Sequence, residues 1–129
     1  MTDAQQIRLD PDPLEPYLLS QGFRVGDLVI TSGQAALDEQ GNVVGAGDFD
    51  AQAEQVFRNL SRVLEAGGSS LDRVVKVTIF LTDMANFPKI VELRRRWFTA
   101  PYPADTIVEV RSLALPELEI EIEAIAVAG

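Results

Sequence analysis

An α+β fold, a single mixed β-sheet with two helices on one face, is predicted by three features of the chain. Short β-branched and aromatic runs separated by Gly, Pro and Asp open it. A long segment from Phe49 then repeats its apolar residues at intervals of three and four, and after it strand-like runs alternate with a second helical segment. At 129 residues, 47% of them apolar, the length suits one domain, residues 1–129, around a single core.

Each element has its own local reason. Gln6 to Leu9 reads as a short edge strand, ended by Asp10-Pro11-Asp12-Pro13 because proline offers no ladder donor and restrains the residue before it. Tyr17 to Ser20, Phe23 to Val25 and Leu28 to Ser32 read as strands of a meander, with turns at Gln21-Gly22 and Gly26-Asp27. Gly33-Gln34 interrupts the third run as a bulge or a close backbone approach, and Gly41-Asn42 marks a turn before Val43-Val44.

From Phe49 the apolar stripe Phe49, Ala53, Val56, Phe57, Leu60, Val63, Leu64 predicts an amphipathic helix, capped by Asp48 or Asp50 and stopped at Gly67-Gly68. Val74 to Leu81 follows as a central strand, with Val75, Val77, Ile79 and Leu81 expected under that helix. A second helix is expected from about Asn86 to Phe98, with Pro88 in its first turn. Phe87, Ile90, Val91 and Trp97 lie on one side of it, and Arg94 falls on the same stripe. Ala100-Pro101-Tyr102-Pro103 ends it and leads into two final strands, about Asp105 to Val110 and Glu119 to Ala126. Two helices cover only one face of such a sheet, so the bare face is expected to self-associate.

Composition narrows the chemistry. With no Cys and no His, disulfides, thiol nucleophiles, imidazole triads and ordinary zinc sites are excluded, and no metal or cofactor is expected. Carboxylates, hydroxyls, arginine, lysine and backbone groups remain. A net charge of −9 opposes a phosphate backbone, so no nucleic-acid partner is expected. Arg94-Arg95-Arg96 is a basic cluster without interleaved aromatics, read as one charged helix flank. No segment reaches the length of a membrane span, and the polar, acidic start from Met1 to Gln6 is unlike a signal peptide and looks loose. The expectation is a cytoplasmic protein.

Several segments together carry a resemblance. Pro16-Tyr17, Val29-Ile30-Thr31-Ser32-Gly33-Gln34, Leu64-Glu65-Ala66-Gly67-Gly68, Val75 to Asp83, Pro103-Ala104-Asp105-Thr106 and Ile120-Glu121-Ile122-Glu123-Ala124-Ile125-Ala126 resemble, in order, segments of the Rid (YjgF-like) family of reactive-intermediate deaminases. The resemblance implies a homotrimer of chorismate-mutase-like folds with sites in inter-subunit clefts, acting on a small imine or enamine. It also implies that Tyr17, Ser32 and Gly33 line the cleft and that Glu121 positions the water or the substrate nitrogen. At position 105 it implies an arginine that grips a substrate carboxylate. This chain departs there with Asp105, has Ile107 where many deaminases have cysteine, and shortens the Phe98–Pro103 linker.

Strand alternation sets Asp105, Ile107, Glu109 and Arg111 on one face, and Glu119, Glu121 and Glu123 on one face of the next strand. Should these faces meet, crowded carboxylates form an acid/base pair, with Glu121 and Asp105 as the catalytic candidates; otherwise they form a solvated face paired with arginines. Tyr17, Ser32, Gly33, Arg94 and Ile107 are the candidate substrate contacts. Arg94 either restores an anion anchor or snorkels from the core edge, and Lys76 is expected in a structural ion pair. Three functions follow: an enzyme that hydrolyses or tautomerises an imine, enamine or related labile molecule other than the usual 2-aminoacrylate-type amino acid imine, one lacking a free carboxylate at the usual anchor and offering an amine to Asp105; a non-catalytic binding or chaperone-like trimer; and an ordinary deaminase in which Arg94 or Arg111 replaces the missing arginine.

Overall fold

The computed structural model describes residues 3–129; Met1 and Thr2, the first of the residues expected to be loose, lie outside them. Six strands form one sheet: β1 (Ala4–Ile7), β2 (Gly22–Val25), β3 (Leu28–Thr31), β4 (Val74–Leu81), β5 (Ala104–Glu109) and β6 (Ile120–Val127). Their spatial order is β1-β2-β3-β6-β4-β5, antiparallel throughout except for β4 with β5. Two helices, α1 (Phe49–Ala66) and α2 (Phe87–Trp97), supply the long crossovers that bring β4 and β5 into this order.

The amphipathic reading of α1 holds: Phe49, Ala53, Val56, Phe57, Leu60, Val63 and Leu64 are all buried. Asp48 is its N-cap, accepting from Ala51 N at 3.1 Å, and Gly68 follows its end at φ +84°, a conformation that costs a glycine least. Beneath α1, Val77, Ile79 and Leu81 of β4 pair with Ala124, Ile122 and Ile120 of β6, all buried.

Several sequence expectations are corrected. Val75 is 46% exposed and Val74 is buried in its place, because a bulge between Val74 and Lys76 shifts the register against β6 and reverses the facing of the residues before it. The first strand is Ala4–Ile7, and no strand runs from Tyr17 to Ser20: Glu15–Tyr17 is a 3-10 turn followed by Leu18 in the left-handed region at φ 61°. Val43 makes only an isolated bridge to Leu37. On α2, only Ile90 of the expected apolar stripe is fully buried; Phe87 and Val91 are exposed, while Trp97 stacks on Phe57 with ring centroids 5.3 Å apart. Ile90, Arg94 and Trp97 thus mark the inward side of α2.

The opposite face of the sheet carries Phe23, Val25, Leu28 and Ile30, all exposed, beside half-buried Ile125. This is the bare apolar face that the count of helices predicts.

Candidate functional site

Glu121 projects from β6 on the face away from the helices, since its pairing partner is Phe80 and its neighbours Ile120 and Ile122 face the core. Its backdrop is Gly33. A Cβ at position 33 would stand 2.8 Å from Glu121 Cδ and still closer to Oε2, so only glycine leaves the carboxylate its present place. The Gly33 segment is stitched to β6 immediately beside this contact by a reciprocal pair: Gln34 N donates to Ile122 O at 2.8 Å, and Ile122 N donates to Gln34 O at 3.0 Å. Burial, and then the charge of Glu123, push the Glu121 carboxyl above its ordinary value of 4.5.

Sequence reading missed what holds Gly33. Asp12 Oδ1 accepts from Leu14 N at 2.9 Å and from Gln21 Nε2 at 2.7 Å. Gln21 Oε1 accepts from Gln34 Nε2 at 3.0 Å, and the same Nε2 lies 3.3 Å from Ser32 O. Both glutamines are buried. The signal in the sequence is two glutamines embedded in apolar strand pattern, which need a partner if they go inside. Ser32 joins the same connection, its Oγ donating to Ser20 O at 2.5 Å. Tyr17 is exposed on the 3-10 turn that this network anchors.

Asp105 and Ile107 do not join Glu121. The β4–β5 register pairs Asp105 with Val77 and Ile107 with Ile79, whose side chains face the helices, whereas Glu121 and Glu123 pair with Phe80 and Thr78 on the bare face. The two candidate catalytic carboxylates therefore lie on opposite faces, with β4 between their strands. Asp105 Oδ2 instead accepts from Arg94 Nε at 3.0 Å, with the side chains 16% and 25% exposed. Arg94 thus turns inward onto a carboxylate and does not snorkel. Together with Val91, Tyr102 and Pro103 the pair lines an open cleft of about 440 Å³ between α2 and the start of β5.

The remaining candidates take structural places. Glu109 Oε1 accepts from Met84 N at 2.8 Å and caps a 3-10 turn. Glu119 holds its backbone N on Gln52 Oε1 at 2.8 Å. Lys76 makes no ion pair among the described residues; its Nζ donates to Thr106 Oγ1 at 2.7 Å on the bare face. Arg111 is exposed and likewise unpaired among the described residues.

Known proteins agree with this architecture. The family model described as Endoribonuclease L-PSP matches residues 8–128. A 2-iminobutanoate/2-iminopropanoate deaminase of Salmonella typhimurium is 39% identical over 120 residues, covering 91% of each chain. A RutC family protein of Pyrococcus horikoshii is 40% identical over 116 residues, 90% of each. Among solved structures, RidA from an Antarctic Psychrobacter superposes with a TM-score of 0.86 at 37% identity over 95% of this chain and 98% of its own. The YjgF gene product of E. coli superposes with a TM-score of 0.84 at 32% identity, over 95% and 98%. On sequence and fold together, the chain belongs to the Rid/YjgF family, the one described as Endoribonuclease L-PSP.

Proposed function

We propose that this protein hydrolyses a small imine or enamine, with Glu121 handling the proton and the site completed by a second copy of the chain. The observation that carries the reading is Glu121 itself: a carboxylate of raised pKa, backed by a glycine that leaves it room and held by a buried hydrogen-bonded network. The names of the deaminase relatives supply the reaction class. An enamine first tautomerises to the imine. Water then adds to the C=N carbon while Glu121 takes a proton from that water and returns it to the nitrogen. Collapse of the carbinolamine forms the carbonyl and releases ammonia, so that imine and water become carbonyl compound and ammonia.

Support for a composite site comes from the facing of the strands. Asp105 lies on the helix side of β5, and Glu121 on the bare side of β6, two strand spacings or about 10 Å away across the sheet. A small substrate cannot span that within one chain. A neighbour docked on the apolar bare face brings a second β5 edge toward Glu121, and we read the assembly as a homotrimer. The substrate is held otherwise than by an arginine at position 105. Nuclease activity does not suit this chain, because a charge of −9 repels the phosphates a nuclease has to bind.

The test is imine hydrolysis with an amino-acid oxidase generating imines from several amino acids in turn, following ammonia and carbonyl product. A rate above buffer is expected, falling by about 10²- to 10⁴-fold in Glu121→Gln, the usual worth of a positioned acid/base. No acceleration with any imine, or a Glu121→Gln variant as active as the parent, refutes the reading.

A further inference from the structure

Within the six strands the charged side chains are Arg24, Lys76, Asp105, Glu109, Glu121 and Glu123. Arg24, Asp105 and Glu109 face the helices, since they pair with buried Val29, Val77 and Leu81. That leaves the bare face with Lys76 on β4 and with Glu121 and Glu123 on β6, one ammonium for two carboxylates. The segment Ser32 to Gln34, whose Gly33 backs Glu121, carries no charge.

Register gives Lys76 a choice of partner. Thr78, two residues further along β4, pairs with Thr106 on one side and with Glu123 on the other. Lys76 therefore has a hydroxyl as one diagonal neighbour and a carboxylate as the other, each about 7–8 Å away across the sheet and within reach of a long side chain. In the single chain its Nζ donates to Thr106 Oγ1 at 2.7 Å. Glu123 is exposed and makes no ion pair among the described residues. Lys76 and Glu123 line one open cavity of about 220 Å³, with Thr78 and Ile125, and that space lets the ammonium cross from one partner to the other.

Covering the face decides the choice. While water reaches it, a hydroxyl serves the ammonium and Glu123 stays hydrated. Under a docked copy both charges lose that water, and a charge left buried and unpaired costs far more than a change of rotamer. On this face the carboxylate nearest to Lys76 is Glu123, one row of the pleat closer than Glu121. The effect carries to Glu121, because burial and then the charge of Glu123 raise its carboxyl. An ammonium seated on Glu123 cancels that repulsion and makes Glu121 easier to ionise.

We propose that Lys76 is a positioning residue for the reaction at Glu121: on assembly its ammonium moves from Thr106 to Glu123 and leaves Glu121 as the one unpaired charge on the face. The inference rests on the assembly and the hydrolysis proposed above. Lys76 touches neither substrate nor reacting atoms; it acts through Glu123.

The experiment is NMR of the assembled protein with labelled lysine and glutamate side chains, alongside the imine assay across pH, light scattering and circular dichroism of each variant. Nuclear Overhauser contacts from Lys76 Hε are expected to Glu123 Hγ and not to the Thr106 methyl. In Lys76→Met the Glu121 carboxyl is expected to titrate about 1 pH unit higher than in the parent, the size of one neighbouring charge restored, and the rising limb of the rate to move up with it. Lys76→Arg, which keeps the charge, is expected to hold that limb at the parent position, and Thr106→Val to leave both titration and rate as they were. A lysine with a structural role alone changes the melting temperature without moving the limb.

Contacts to Thr106 in the assembled protein, or a Glu121 titration that is the same in Lys76→Met as in the parent, overturn the proposal. Where Lys76→Met does not fold, the contacts in the parent decide alone. The readings also fail separately. Lys76 on Glu123 with a Lys76-dependent titration, but no turnover of any imine, upholds the pairing and refutes the hydrolase. Turnover that needs Glu121 while Lys76 stays on Thr106 upholds the hydrolase and refutes the role of Lys76. A protein that light scattering finds as a single chain refutes the assembly, and this proposal with it.

Discussion

Glu121 illustrates how one side chain can serve chemistry at the expense of stability. Its carboxyl is raised by burial first and by Glu123 second, so folding favours its protonated form. The stability this contributes is fully present below the ordinary value of 4.5 and is lost as pH rises through the raised value. Glu121→Gln is therefore expected to melt higher than the parent at neutral pH, with the difference shrinking as pH falls toward 4.5; thermal melts across that range check the sign. Ionised Glu121 is the form that takes a proton from water, so the rate should rise with pH through its pKa. Removing the charge of its neighbour in Glu123→Gln should move that limb to lower pH in an activity profile. At Gly33, alanine should displace the Glu121 side chain at little cost in stability, because a flexible carboxylate is what gives way; a melt near the parent value with a sharply lower rate is the expected pair of results. The family resemblance picked out both residues. Their contact, and the inward pairing of Asp105 with Arg94, were not legible, because residues distant in sequence meet only through strand register.

At the scale of elements, periodicity served well where burial is regular. All the apolar stripe of α1 is buried, as the spacing implies, and of the two candidate caps Asp48 is the one used. Alternation failed on β4 at its first turn of the pleat, where one bulged residue exchanges Val74 for Val75. The two valines now give a test of that register. Val75→Ala, at an exposed position, should change stability by no more than about 0.5 kcal/mol, and Val77→Ala, under α1, should cost about 2 kcal/mol in denaturant unfolding. The segment read as a strand at Tyr17 to Ser20 became a turn because Tyr17 N and Leu18 N donate back to Leu14 O and Glu15 O, while Asp12 ties Leu14 N to the Gln21 side chain across the segment's two ends. Gln21→Leu should leave Gln34 without its buried acceptor, costing about 1–3 kcal/mol and lowering activity through the Gly33 segment.

Over the whole molecule, the sheet has one face under the helices and one face bare, and the bare face carries both an apolar patch and Glu121. The proposed assembly predicts a mass three times the 14.1 kDa chain by light scattering. Ile30→Asp, in the middle of the bare face, should lower that mass and the activity together, since it places a charge where apolar surface would be buried. The sequence by itself determined the two helices and the main strands in their order, the buried face of α1, the excess of sheet over helix cover and the family, because each rests on local period, turn chemistry or motif. Tertiary structure decided which carboxylate is free and which is held. Strand register and the bulge set the facing of Asp105 and Glu121, and the packing of α2 on β5 decided that Arg94 closes on Asp105. Those outcomes depend on pairings between distant segments, which no local pattern encodes.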